Sequence, residues 1–456
     1  MIVMKFGGTS VEDGAAISRL IDIVTRVQKR TPFVVVSACS GVTNDLIRVA
    51  TTVAEGEKDK AIAILDRLRQ RHRTIASELL TEQRLEHVNE ILDQSFHELR
   101  NYVRGVHLLG ELTKRSFDAF TSYGERLSSL IIHAVMEQRG LPAHLLDARQ
   151  VIITDSAFSV AQPLFDEINK RAKAIAAPLV AEGKIVITQG FIGSNEQGVT
   201  TTIGRGGSDY SAAIFGAALH AEEIQIWTDV DGMMTTDPRI VKNSRLISKL
   251  TFDEASELAY FGAKVLHPST IIPAIKQSIP VRILNSRNPE NEGTLIVKSL
   301  EGDDASQEFS VKSIACKKDI TLVNVSSSRM LMAHGFLAEL FSIFAKYRKS
   351  VDVVATSEVS VSLTVDNEDG LSEIQQQLEA VAEIKVKPKK AIVCVVGEAM
   401  KHTPGVAARI FGALANAEIN IDMISEGASE INLTIVVDDA DVNRAVVALH
   451  NEFFPV

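Results

Sequence analysis

The stretch Thr202-Ile203-Gly204-Arg205-Gly206-Gly207-Ser208-Asp209 constrains this chain more than any other. A β-like run, Lys184 to Gln189, and a turn-rich insert, Gly193 to Gly198, precede it. An apolar helix, roughly Asp209 to Leu219, follows. Three glycines within four residues let a backbone approach a charged ligand without side-chain clashes. The helix start behind them offers unpaired N–H groups and the positive end of a dipole. Arg205 adds a planar fork that suits a carboxylate or phosphate, and Asp209 is placed to cap the helix or hold a cationic group. Alone, the stretch also has a plainer reading, an ordinary glycine-rich loop with an N-cap. A second glycine loop at the start of the chain weighs against that.

That second loop is Lys5-Phe6-Gly7-Gly8-Thr9-Ser10, and it closes a short apolar strand, Ile2 to Phe6. A helix, roughly Glu12 to Lys29, a buried strand, Phe33 to Ser37, and a turn, Ala38 to Asn44, come next. Apolar strands without alternation, joined by helices, predict a parallel sheet covered on both faces. Ligands of such sheets sit beyond the C-terminal strand ends, where both glycine loops fall. Lys5 brings an ammonium to the loop's N–H groups, which suits a transferring phosphate; a solvated strand-end lysine is the plainer alternative. The Gly-x-x-x-x-Gly-Lys-Ser/Thr spacing is absent.

Lys58 to about Leu109 reads as a charged helical insertion or lid, and its His72, His87, His97 and His107 as surface or packing residues. A helix near Phe117 to Arg139 carries Glu125. The strand Ile224 to Trp227 leads to Thr228-Asp229-Val230-Asp231-Gly232 and Thr235-Thr236-Asp237-Pro238-Arg239, loops that can cradle a nucleotide. Asp229 and Asp231 fit a metal pair or, more commonly, turn chemistry. Phe261 to Pro268 ends a helix, Pro280 to Asn285 is the last core strand, and a polar linker spans Asn288 to Gln307.

The C-terminal third repeats itself at an offset of about 70 residues. Gly335-Phe336-Leu337-Ala338-Glu339, Val351-Asp352 and Ser362 to Val365 recur as Gly405-Val406-Ala407-Ala408-Arg409, Ile421-Asp422 and Asn432 to Ile435. Each copy reads strand, helix, strand, strand, helix, strand, a ferredoxin-like order.

Charge and cysteine usage narrow the partners. The net charge of −10 and the lack of a basic stripe argue against nucleic acid. No apolar run reaches a membrane span, and no signal-peptide pattern opens the chain. Cys39, Cys316 and Cys394 lie far apart without zinc spacing, which suggests a reducing cytoplasmic location.

The two glycine motifs, Thr235-Thr236-Asp237-Pro238-Arg239 and the tandem repeat together resemble aspartokinase over essentially the whole chain. The first repeat, with Thr356-Ser357-Glu358-Val359-Ser360-Val361, is similar to the lysine-sensitive single-chain type. The resemblance implies an α/β amino acid kinase fold, a mainly parallel sheet sandwiched by helices, at residues 1–295. Two βαββαβ ACT domains follow, at 318–387 and at 305–317 plus 388–456. The implied reaction transfers the γ-phosphoryl group of ATP to the β-carboxylate of L-aspartate, giving 4-phospho-L-aspartate. The acceptor is ionised at neutral pH, so no general base is required. Mg2+ is expected on ATP oxygens and water. Homodimers, or tetramers, through the ACT domains are implied, with no nucleic acid or membrane partner.

The implied roles attach to matching residues. Lys5 and Asp209 are catalytic. Lys5, Phe6, Gly7, Gly8, Thr228, Asp229, Met234, Arg239, Lys264 and Val265 surround ATP. Thr43, Glu125, Arg205, Gly206, Gly207 and Ser208 bind aspartate, with Arg205 on its α-carboxylate and Glu125 on its ammonium group. Met330, Ala333, Phe336, Leu337, Ser350, Val351, Asp352, Thr356, Ser357 and Glu358 form an allosteric site for L-lysine. Met234 and Ala333 depart from that type, which commonly has tyrosine and serine there. Two other readings compete: another acid kinase of the same fold, and a non-enzymatic amino-acid sensor built on the repeat.

Overall fold

The computed structural model describes residues 1–261, 268–300, 310–327, 330, 334–379, 382–427 and 431–455. They divide into two compact units, Met1–Met233 with Val265–Lys298, and Met234–Lys264 with Ser299–Val456.

The first unit holds strands β1 (Ile2–Phe6), β2 (Pro32–Val36), β3 (Ala143–Leu146), β4 (Ile153–Thr154), β5 (Ile185–Gln189), β6 (Ile192–Asn195), β7 (Thr200–Thr202) and β8 (Glu223–Thr228). Strand β9 (Lys249–Thr251) belongs to the second unit; β10 (Val281–Asn285) and β11 (Thr294–Val297) return to the first. The main sheet of the first unit runs β3-β5-β2-β1-β8-β10-β11, parallel except for β10–β11. β4, β6 and β7 form a small separate sheet.

The helices of this unit are α1 (Gly14–Arg26), α2 (Val42–Ala54), α3 (Lys58–Leu79), α4 (Glu82–Leu109), α5 (Lys114–Thr121), α6 (Tyr123–Gln138), α7 (Phe165–Arg171), α8 (Ala177–Ala181) and α9 (Gly207–Ala218). Helix α10 (Phe252–Phe261) lies in the second unit and α11 (Ile272–Lys276) in the first. Side chains alternate across a strand. Ile2, Met4 and Phe6 accordingly enter one core with Ile17, Leu20 and Ile21 of α1 and Leu127 and Ile131 of α6. Val3 and Lys5 take the opposite face. There Phe215 of α9 meets Phe33 of β2, centroids 4.7 Å apart.

Helices α3 and α4 bury a stripe at helical spacing, Ile64, Leu68 and Ile75 against Leu92, Phe96 and Leu99. Arg69 and Asp93 close their outer edge at 2.8 Å. His72 is fully buried in this seam, and its Nδ1–H donates to the Leu68 carbonyl at 2.7 Å. Burial pushes its pKa down to about 4, so it packs as a neutral ring.

Three local expectations are corrected. Pro280 to Asn285 is not the last core strand and Asn288 to Gln307 is not all linker, because Thr294–Val297 returns antiparallel onto β10. The insert after β5 is not merely turns: Ile192–Asn195 pairs antiparallel with Thr200–Thr202, because Asn195 turns the chain by accepting the amides of Gln197 and Val199. The single helix expected over 117–139 is two, α5 capped by Thr113 and α6 starting at Tyr123, with Ser122 between them.

The second unit carries an antiparallel sheet ordered β13-β14-β12-β15-β17-β16. Its strands are β12 (Ser313–Ser326), β13 (Val354–Thr356), β14 (Ser360–Val365), β15 (Glu383–Val396), β16 (Met423–Glu426) and β17 (Asn432–Asp438). Its further helices are α12 (Phe336–Lys346), α13 (Leu371–Leu378), α14 (Val406–Asn416) and α15 (Val442–Phe453). The long strands β12 and β15 are shared between two cores. One half, with Val323 and Val325, packs with Leu340, Phe344 and Leu363. The other, with Ile314, Val393 and Val395, packs with Ile410, Leu414 and Leu449. The register slips between Lys317 and Ile320, where Asp319 is left-handed at φ 55°. That irregularity lets one strand serve both cores.

Phe215→Ala is expected to cost about 3–5 kcal/mol. The urea transition of Trp227, the single tryptophan and part of the first unit, reports it. A loss below about 1 kcal/mol would contradict the packing assigned to α9.

Candidate active site

Parallel pairing sets Phe6 opposite both Val36 and Trp227, so the ends of β1, β2 and β8 meet at one edge. Gly7 N–H donates to the Trp227 carbonyl at 3.0 Å, and Ser40 N–H to the Gly8 carbonyl at 3.1 Å. Ser10 Oγ lies 2.8 Å from Ser286 Oγ, and the Ser286 amide donates to the Thr228 carbonyl at 2.9 Å. The glycine loop is thereby tied to the Thr228–Asp229 turn.

Lys5 is 9 % exposed, at the end of β1. Its Nζ stands 2.6 Å from Asp209 Oδ1, an ion pair without hydrogen-bond alignment. Asp209 therefore holds a cation instead of capping its helix. The cap is Gly206, left-handed at φ 72°, and α9 starts at Gly207, two residues before the expected position. A left-handed N-cap is easy only for glycine, and it turns the helix start toward β1.

Glu125 occupies the first turn of α6 and is 3 % exposed. The Ala38 backbone hydrogen-bonds its carboxylate, yet Oε2 has no partner. Burial pushes its pKa up to about 8 against the opposing pull of that bond and of the Lys5 charge. Gly124 permits the approach: a Cβ there would lie 2.6 Å from Ala38 Cβ and 3.7 Å from Thr43 Oγ1. Thr43 is half-buried in the first turn of α2. A buried oxygen without a donor is costly, so this position is suited to an incoming cation.

Arg205 is exposed and makes no ion pair among the described residues. Ser208 packs on Gly190, where a Cβ would lie 2.7 Å from its own Cβ. Thr228 donates to Asp229 at 3.2 Å, and Asp231 accepts from Asn285 at 2.7 Å. These bonds are turn chemistry for the two acids. Cys39 is buried, and burial raises its thiol to about 12, which suits a packing residue.

Lys5, Phe6, Gly7, Gly8, Thr43, Glu125, Arg205, Gly206, Gly207, Ser208, Asp209, Thr228 and Asp229 all belong to the first unit. Met234 and Arg239 belong to the second. There Asp237 grips the exposed Arg239 at 2.6 Å, and Ser313 Oγ donates to the Met234 carbonyl at 2.8 Å. Lys264, Val265 and Ala333 lie outside the described residues.

Of the effector candidates, Gly335 caps α12 at φ 91°, with Phe336 half-buried and Leu337 exposed at the helix start. Ser350, Thr356, Ser357 and Glu358 are exposed; Met330 and Val351 are partly buried. The Asp352 side chain is only 2 % exposed and already engaged. Lys317 Nζ lies 3.0 Å from its Oδ2, and Tyr260 Oη donates to its Oδ1 at 2.6 Å. An effector ammonium on Asp352 would have to share or displace those partners.

Sequence reasoning missed two residues near the site. Asp118 of α5 is fully buried and accepts four hydrogen bonds, two from Ser159 and two from Thr202. Gln189 accepts from the Ala148 amide and donates to Ser129 Oγ at 2.8 Å. The available signal for Asp118 was an acid set among Phe117, Phe120 and Thr121 on a short helix.

The amino acid kinase family model matches residues 1–285, and an ACT domain model matches residues 393–453. Lysine-sensitive aspartokinase 3 of Escherichia coli (strain K12) is 37% identical over 463 residues, covering 100% of this chain and 99% of that protein. Aspartokinase 1, chloroplastic, of Arabidopsis thaliana is 36% identical over 465 residues, covering 99% of this chain and 80% of that protein. Among solved structures, E. coli aspartokinase III in complex with aspartate and ADP (R-state) superposes with a TM-score of 0.83 at 36% identity, covering 100% of both chains. The same enzyme in complex with lysine and aspartate (T-state) gives 0.83 at 37% identity, covering 100% of this chain and 99% of that one. With the family model over residues 1–285 and relatives matched along the whole chain, the chain belongs to the aspartokinases, ATP-using phosphotransferases of the amino acid kinase family.

Proposed function

We propose that this aspartokinase holds L-aspartate between Glu125 and Arg205 and presents its β-carboxylate to the ATP γ-phosphoryl group beside Lys5. The observation that carries this reading is the buried, unpartnered Oε2 of Glu125. An ammonium group is the partner that such an oxygen lacks, and it would return the carboxyl to its ionised form. The free fork of Arg205, at the start of α9 with Gly206, Gly207 and Ser208, suits the α-carboxylate. Thr43, beside Gly124, is within reach of the same substrate.

The acceptor oxygen needs no deprotonation, so the chemistry rests on positioning and charge. The β-carboxylate oxygen attacks the γ-phosphorus, the bond to the β,γ-bridging oxygen breaks, and ADP leaves. Lys5 neutralises charge on the transferring group, and Asp209 orients Lys5. MgATP is the substrate, with Phe6, Gly7, Gly8, Thr228 and Asp229 on its side of the site. Mg2+ stays with phosphate oxygens and water.

L-lysine acts as feedback inhibitor at the first repeat, around Asp352 and the start of α12. The relative named lysine-sensitive and the solved complex of that enzyme with lysine and aspartate support this. Residues 1–295 form the catalytic domain, 318–387 the effector domain, and 305–317 with 388–456 a second ACT domain that dimerises. The division of β12 and β15 between two cores supports the bounds of the two ACT domains. A coupling of about 1–3 kcal/mol joins lysine and substrate sites.

Hydroxylamine trapping of the acyl phosphate tests the reaction. Aspartate and ATP together are expected to give hydroxamate, and Lys5→Ala to lower turnover by about 10²–10³-fold with little change in aspartate KM. No hydroxamate from folded protein would reject the substrate, and near-normal turnover would reject the role of Lys5. Added lysine is expected to suppress the product. Indifference to lysine would remove the effector assignment while leaving the kinase.

A further inference from the structure

Asp118 is a buried carboxylate with no part in the phosphoryl transfer proposed above. It sits on α5, fully buried, with no cation among its described partners. Its carboxylate instead accepts from two residues at once. Oδ2 takes the backbone N–H of Ser159 and of Thr202, each at 2.9 Å. Oδ1 takes the hydroxyl of Ser159 at 3.1 Å and of Thr202 at 2.9 Å. Burial raises its pKa, and those four bonds pull the other way.

The partners decide what this arrangement does. Thr202 ends β7, two residues before Gly204, and the Thr202 carbonyl accepts the Ala161 amide at 3.0 Å. Ser159 is left-handed at φ 75°, a costly conformation for serine. Its carbonyl lies 3.6 Å from where a Gly204 Cβ would stand, with Val160 beside it. One carboxylate therefore fixes both walls of the turn that carries Arg205. The other end of its own element is equally committed. Asp118 accepts the Ser122 amide through its carbonyl at 3.0 Å, and α6 with Glu125 begins at the next residue.

We infer that Asp118 is a positioning residue that sets the distance between Arg205 and Glu125, and so how well both ends of the α-amino acid group are held at once. This rests on the reading that those two residues hold the two α-substituents of aspartate. The α-carboxylate and α-ammonium of any amino acid are rigidly spaced on one carbon. A shift of about 1 Å at the Gly204–Gly206 turn would break one contact while keeping the other. A carboxylate is suited to the task because it alone offers four acceptor sites on one rigid plane. An asparagine could keep all four bonds, since both hydroxyls can rotate from donor to acceptor.

The test compares KM for aspartate and for ATP in the full-length enzyme. Asp118→Ala is expected to raise aspartate KM at least about tenfold and leave ATP KM within about twofold. Asp118→Asn should restore aspartate KM to within about threefold of wild type. The Ser159→Ala, Thr202→Val double variant, which keeps the carboxylate and both amides, should raise aspartate KM severalfold and remain folded if Asp118→Ala does not. Equal changes in both KM values, or an unchanged aspartate KM in the double variant, would overturn the inference. Arg205→Ala is measured alongside. If it leaves aspartate KM unchanged, the substrate reading fails; if it raises that KM while the Asp118 variants do not, only the positioning role fails.

Discussion

An ammonium group buried at the end of a β-strand must be answered by negative charge, and Asp209 answers Lys5 at 2.6 Å. The site is organised by that requirement. It needs β1 and α9 side by side, which the parallel order provides, and a helix start turned inward, which left-handed Gly206 provides. It also leaves the site with one cation and one acid already matched. Glu125 is then a second buried acid without its own counter-charge, and burial holds it toward the protonated form, with a pKa of about 8. With Glu125 protonated, Lys5 and Asp209 offset each other, and Arg205 is the charge left over in the empty site. A substrate ammonium makes it worthwhile to ionise Glu125, so the fold stores a preference for an α-amino acid.

The second unit solves the same electrostatic problem twice. In the first copy Lys317 meets Asp352 and Asp366; in the second Lys390 meets Asp422 and Asp438. These residues stand about 70 residues apart, as the sequence repeat does. The copies differ in what takes the remaining Asp oxygen. In the second copy it is another ammonium, that of Lys387 at 2.8 Å; in the first it is the hydroxyl of Tyr260. Duplication supplied the staple, and divergence gave each copy a different second partner.

Much of this was legible in the sequence, for physical reasons. Apolar runs such as Phe33 to Val36 can only be buried on both faces, so the parallel sheet followed. Gly204, Gly206 and Gly207 announced a loop whose backbone can approach a charged ligand, and the spacing of Gly335 and Gly405 announced the duplication. What escaped reading were the close approaches. Glu125 is buried because Gly124 lets α6 come against Ala38, and a lone glycine in a helix does not say what it touches. Asp118 looks like any helical acid until the fold brings Ser159 and Thr202 to it from distant segments. Asp352 reads as a free acid because Lys317 lies on another strand and Tyr260 on another helix.

The most direct test of this account counts protons. The raised pKa of Glu125 means that the empty folded site holds a proton which an unfolded chain would have lost above the ordinary carboxylate range. That state persists until the pH rises through about 8. An ammonium binding to Glu125 at pH 7 must expel that proton. Calorimetric titration of aspartate into the full-length enzyme, in buffers of different ionisation enthalpy, measures the exchange. Release of about one proton per aspartate is expected at pH 7, falling away above pH 8 and absent in Glu125→Gln. Binding without proton release at pH 7, or equal release in the glutamine variant, would contradict it.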